Sequence, residues 1–347
     1  MSDGVGVPRS ACGVPKAIVI VGNRIIGGGS AARTPQGAGS LAALETLGDS
    51  LVGRVADDLK RGGVESVAVF GDTELGLETL DGRATVVRCD QGEVLRRASR
   101  ELLEYRDSGT DSVFFMRLGP YVEFDVADLL RFRTECEGSV VRAFEGPNAL
   151  DIWLLDPKQL SGNLQDAGSW TELLDVEAVP YEVRGYVNAL EHPRDLRRLV
   201  VDSLHSRCRV RPRGFEVRPG VWMAEGAQVE REARIVAPAF IGRDVCVSQQ
   251  CLVTRGSNIE RNSVVDYGTV IENTSVLPNT YVGIGLDVCH SIVDGNKLLN
   301  IQRDVLLEID DSAVIREKKP LGEAGYRWWT ELMTRELTLS AADEMAN

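Results

Sequence analysis

The chain has 347 residues, 43% of them hydrophobic and 26% charged, enough for two domains that each bury a core. Its net charge of −13 argues against a nucleic-acid binder, which needs a basic face to displace counterions, and against docking on an anionic membrane. No run approaches the roughly 20 apolar residues of a membrane span, and the apolar run 17–21 is too short for a secretory signal, so a cytoplasmic protein is expected.

Residues 1–15 read as a flexible N-terminus and 16–208 as an α/β domain. The strand 17–21 leads into a Gly-rich loop, 22–39. Ser50 is placed to cap a helix with Leu51, Val55 and Leu59 on one face, ended by Gly62 and Gly63. Strands follow at 64–70 and 85–88, then a helix over 91–105 with Leu95, Leu102 and Tyr105 inward. A strand at 112–116, a helix at 126–134, and strands at 139–144 and 151–155 come next. Residues 185–190 and a helix from 193 to about 205 close the domain. This alternation predicts an open, mostly parallel sheet covered on both faces, with ligands at the carboxyl ends of its strands.

From Val229 every sixth residue is aliphatic: Ile235, Ile241, Val247, Val253, Ile259, Val265, Ile271 and Leu277, with Gly283 closing the run. Four residues after each comes a small or modest one, among them Ala239, Cys251, Ser257, Ser263, Thr269 and Ser275. Val217, Val221 and Met223 extend the phase backwards. A period of six fits neither an amphipathic helix nor an alternating strand. It predicts a left-handed parallel β-helix over 209–300, three hexads to a coil, which departs from the usual right-handed crossover. The tail 301–347 holds an amphipathic helix pattern at 325–339 with Trp328, Trp329, Leu332 and Leu337. Flat β-helix faces and this tail predict a homo-oligomer. The seven cysteines are scattered without a CxxC pair, as free thiols and not as a metal site.

Three stretches carry a family likeness: 44–70, with ETLGDSLVGRVADDLKRGGVESVAVF; 113–133, VFFMRLGPYVEFDVADLLRFR; and 185–196, GYVNALEHPRDL. Together with the element order they resemble the sugar-nucleotide pyrophosphorylases, nucleotidyltransferases that join a sugar 1-phosphate to an NTP. The resemblance covers about 16–300. It implies a Rossmann-like, nucleotidyltransferase-type mixed sheet and a nucleotide or sugar nucleotide as partner. It also implies Mg²⁺ held by carboxylates against the charge developing at the α-phosphorus. By the same resemblance Gly28, Gly29 and Arg33 loosely match the family's phosphate clamp, with Arg24 a weaker anion contact.

The chain departs from the family at the chemistry. The family's first metal-binding aspartate corresponds to Pro120, after Gly119, and its second to Ala189; the clamp's lysine is missing. Glu145-Gly146-Pro147 stands where the sugar-binding element has a lysine. The resemblance therefore implies a degenerate homologue, a scaffold or sugar-nucleotide sensor, with no catalytic residue or metal ligand assigned. One alternative is an active nucleotidyltransferase improvising with Arg24, Arg33, Glu123 and Asp125. A further alternative is a hexapeptide-repeat acyltransferase, for which His290 is the candidate general base among three histidines. The arginines at 194, 197, 198, 207, 209, 211, 213 and 218 read as inter-domain ion pairs and a solvated helix face.

Overall fold

A computed structural model of the chain describes residues 14–21, 45–71, 80, 82–90, 93–136, 140–160, 178–190 and 192–318. The loop residues Arg24, Gly28, Gly29 and Arg33 and the helix expected at 325–339 lie outside the described residues.

Strand β1 (Lys16–Val21) is an interior strand of a seven-stranded mixed sheet. It is apolar without alternation because both faces are covered. Ala17, Val19 and Val21 pack with Val52, Val55 and Leu59 of helix α1 (Leu51–Arg61). Ile18 and Ile20 pack with Ala98, Leu102 and Tyr105 of α2 (Val94–Asp107). Ahead of α1 lies a short hairpin, β2 (Glu45–Thr46) and β3 (Asp49–Ser50). Parallel to β1 run β4 (Ser66–Gly71) and β6 (Val113–Leu118), and β5 (Thr85–Arg88) lies beyond β4. After β7 (Tyr121–Val122) and α3 (Val126–Glu135), the strands β8 (Val141–Glu145) and β9 (Asn148–Leu155) form an antiparallel hairpin. Gly146, at φ 55°, makes the two-residue turn with Pro147. Edge strand β10 (Val179–Glu182) completes the sheet, and β11 (Val187–Asn188) pairs with β7. The expected cap is in place, with Ser50 Oγ accepting the N–H of Gly53 at 3.1 Å, and Asp125 caps α3 in the same way by accepting the N–H of Asp128 at 3.1 Å. Helix α4 (Pro193–Leu204) opens with proline, and Asp195 accepts the His192 N–H at 3.1 Å. Among the described residues no helix is long and apolar enough to cross a membrane.

The second half winds through three sheets in rotation, an arrangement compatible with a parallel β-helix. One face stacks Val221–Met223, Ala239–Ile241, Ser257–Ile259, Ser275–Val276 and Ser291–Asp294. The second stacks Gln228–Val229, Cys246–Val247, Val264–Val265 and Thr280–Val282. The third stacks Arg234–Ile235, Leu252–Thr254, Val270–Glu272 and Asp287–Cys289. Ile235, Ile241, Val247, Val253, Ile259, Val265 and Ile271 all point into one core, as the six-residue period predicts.

The period then breaks. Ile259 pairs with Val276, so Val276 enters the core, while Leu277 packs against the α/β half; Val282, and not Gly283, follows inward. The corner between the third and first faces has lost a residue. In the longer coil Arg255 and Gly256 turn it with two positive φ values, whereas Asn273 and His290 each turn it alone. Val217 also leaves the pattern: it lies in the antiparallel strand Phe215–Arg218 beside the first coil, 55% exposed.

The small residues of the repeat form a ladder at the corners. Ser257, Ser263, Thr269 and Thr274 are fully buried, and each hydroxyl donates to a carbonyl fourteen residues on and accepts an N–H seventeen residues on. Thr269→Val keeps the shape but orphans Leu286 N–H and Gly283 C=O. It is expected to lower unfolding free energy by about 1–3 kcal/mol, read as a urea midpoint shift at constant slope.

Candidate functional site

The carboxyl ends of the parallel strands lie level. Val21 is in register with Gly71 and Leu118, and Gly71 with Arg88. Val21, the last described residue before the Gly-rich segment, lies at that edge. Beside it, β7 and β11 pair Val122 with Val187 and Tyr121 with Asn188, so Pro120 and Ala189 flank the same end of that ladder. The two positions that the resemblance assigns to a divalent ion are thus neighbours, and neither side chain has an oxygen. Glu145-Gly146-Pro147, which stands for the sugar-binding element, is the tight β8–β9 turn.

Neighbouring carboxylates are committed elsewhere. Glu123 accepts from the Tyr121 hydroxyl at 3.1 Å and from the backbone N–H of Arg209. Burial pushes its carboxyl up, against the pull of those donors. Its backbone also requires a glycine at 185, since a Cβ there would lie 1.7 Å from the Glu123 carbonyl oxygen. Asp125 is occupied as a helix cap. Among the described residues no group of three or more His, Cys, Asp or Glu side chains is placed to hold a metal. The chain's own residues at Gly119, Pro120 and Ala189 do not fit the family's Mg²⁺.

The arginine-rich junction is largely spent on structure. Arg213 bonds Asp49 and Asp57, Arg209 reaches Phe124 O, Arg194 pairs with Asp304 at 3.0 Å and Arg207 with Asp202 at 3.2 Å. Arg197, 5% exposed, inserts from α4 into the shortened corner and donates to Gly256 O, Asn273 O and Asn273 Oδ1 without a carboxylate. Burial alone pushes its pKa down to about 9. Because a guanidinium only donates, Asn273 must present its oxygen to Arg197 and its NH₂ to His290 Nδ1, 2.7 Å away. In the neutral ring the proton then sits on Nε2, and the atom a general base would use is already protonated. That arrangement disfavours the acyltransferase role for His290.

The contact that sequence reasoning missed lies between the two halves. Glu260, fully buried on the first face of the coil, accepts the N–H groups of Leu47 and Gly48 at 2.8 and 3.0 Å and the Asn258 amide at 2.6 Å. Leu47 and Gly48 form the β2–β3 turn with φ of 55° and 80°. A leucine in the left-handed region costs about 1 kcal/mol, and Gly48 lies where a Cβ would meet the Phe240 ring at 3.1 Å. Arg54, also buried, donates to the carbonyls of Thr46 and Leu47 and to Arg211 O. Glu45 pairs with Arg261 at 2.6 Å, and Asp49 with Arg83 and Arg213. Burial works against the Asp49 charge, but those arginines hold its carboxyl below the usual range. A glutamate inside a hexapeptide run is the one trace of this clamp in the sequence.

Burial, reinforced by Glu45, pushes the Glu260 carboxyl up to about 7 from 4.5, despite its three donors. Between those values the folded chain holds a proton that the unfolded chain has lost. The contribution is therefore complete below 4.5 and is lost as pH rises through about 7. Going from pH about 5 to about 8 is expected to cost on the order of 3 kcal/mol at this group. Denaturant titrations at stepped pH should show this slope flattened in Glu260→Gln.

Set against known proteins, the chain matches no protein-family model and no curated protein.

Proposed function

We propose that this chain is a catalytically degenerate sugar-1-phosphate nucleotidyltransferase homologue, in which a Rossmann-like nucleotidyltransferase-type domain is joined to a left-handed parallel β-helix. It acts as a scaffold or sugar-nucleotide sensor in nucleotide-sugar or surface-polysaccharide metabolism. One observation carries the reading: β7 and β11 pair Tyr121 with Asn188, so Pro120 and Ala189 flank the same end of that short ladder. Transfer to the α-phosphorus needs a cation at the developing charge, held by carboxylates. The pair at this position supplies none, and the nearest substitutes, Glu123 and Asp125, serve the junction and a helix cap. The carboxyl ends of β1, β4 and β6 lie level at this edge, where such sheets bind ligands, and this favours retained nucleotide affinity without turnover.

The test is isothermal titration of the full chain with a panel of NTPs and sugar nucleotides, with and without Mg²⁺, beside a pyrophosphate-release assay with sugar 1-phosphates. Binding that Mg²⁺ does not strengthen, and no pyrophosphate, is the expected result. Mg²⁺-dependent pyrophosphate release would overturn the degenerate reading in favour of an active enzyme. Absence of any nucleotide binding would leave the scaffold role and remove the sensor.

A further inference from the structure

The three faces of the coil are not equivalent. The first carries Phe240, Asn258, Ser275 and Ile292 outward in one row, all fully buried beneath the α/β half. The second ends under Arg316, whose guanidinium lies 3.8 Å above the Tyr281 ring. The third has no such cover among the described residues.

On that third face one outward row runs Arg234, Leu252, Val270, Asp287, one residue per coil. A base stands at one end and an acid at the other, with two half-buried aliphatic side chains between. Neither Arg234 nor Asp287 has an ionic partner among the described residues. Coils rise by about 4.8 Å, so the two charges sit about 14 Å apart and cannot reach each other. The adjacent row contains Thr254 beside Glu272.

Both rows are complementary to their own reverse. With a two-fold axis lying in the interface, perpendicular to the coil axis and level with the gap between Leu252 and Val270, Arg234 meets the partner's Asp287. Leu252 then meets the partner's Val270, and Thr254 the partner's Glu272, a hydroxyl donor against a carboxylate. Each contact occurs twice, as a closed isologous interface requires. The first outward row of the second face, Gln228, Cys246, Val264, Tyr281, has no such opposed charges.

We propose that the third face joins two copies of this chain with their coils antiparallel, held by two Arg234–Asp287 pairs around a Leu252/Val270 centre. The proposal gives the scaffold reading its assembly surface and rests on that reading only for its purpose. Flat apolar strips bring the faces together, and the charges at either end set the direction and register.

Sedimentation of the full chain over a concentration series tests it. The wild type is expected to dimerise. Arg234→Glu and Asp287→Arg, each at an exposed site, should separately weaken dimerisation tenfold or more by setting like charges opposite, and the double reversal should recover most of the affinity. A monomeric wild type, single variants that dimerise normally, or a folded double variant that stays dissociated would each overturn the interface. A monomer that still binds nucleotide would remove this interface alone, whereas a charge-swappable dimer that releases pyrophosphate would remove only the degenerate reading.

Discussion

A carboxylate shut away from water ties the two halves of this chain together. Glu260 accepts three hydrogen bonds, from Leu47, Gly48 and Asn258, and has no cation in direct contact, so when ionised it is met by oriented N–H groups and only at longer range by Arg54. Such a group is tolerated where donors meet most of its lone pairs and a proton can relieve its charge. The turn it captures is itself improbable, because Leu47 takes a left-handed conformation while fully buried. Glu260 takes the two N–H groups of that turn and Arg54 takes the carbonyls of Thr46 and Leu47. Neither the hairpin nor the coil face can therefore shift without stranding buried polar atoms.

That constraint reaches into the α/β half. The hairpin directly precedes α1, whose Val52, Val55 and Leu59 complete one side of the sheet. It is also where the chain re-enters after the Gly-rich segment that leaves Val21. The coil thus fixes the far end of that segment, while the parallel strands fix its near end. Arg197 does the same for α4, reading the carbonyls of two successive coils at the corner where a residue has been lost.

Much of this was legible in the sequence where the cause is local. Ser50, Asp125 and the Pro193-x-Asp195 pattern mark helix starts because their chemistry acts within three residues. The run from Ile235 to Ile271 marks a coil because inward positions recur at a fixed step. The break at Val276 was hidden because Val276 and Leu277 are both aliphatic and either can continue the pattern. What distinguishes them is the one-residue corner at Asn273, a backbone property that asparagine permits and does not dictate. The meeting of Glu260 with Leu47 spans 213 positions and has no local signature at all. The same holds for Glu123, which read as a spare carboxylate near a cation site and instead pins the junction at Arg209.

The distribution of polar groups bears on function through what each can still do. At the inter-domain contact acids and bases meet one another: Asp49 has Arg83 and Arg213, Glu45 has Arg261, Glu260 has its amides. A catalytic site needs the opposite, charged groups held in place yet left unsatisfied until substrate arrives, and their strain is offset elsewhere. Among the described residues Val21, Gly71 and Leu118 at the level strand ends are apolar or glycine, and Pro120 and Ala189 have no side-chain oxygen in any rotamer. On the reading proposed above, a sheet edge of that kind would serve binding through backbone and shape over bond-making. On the same reading, the coil clamped to it through Glu260 and Arg54 would couple that edge to another surface.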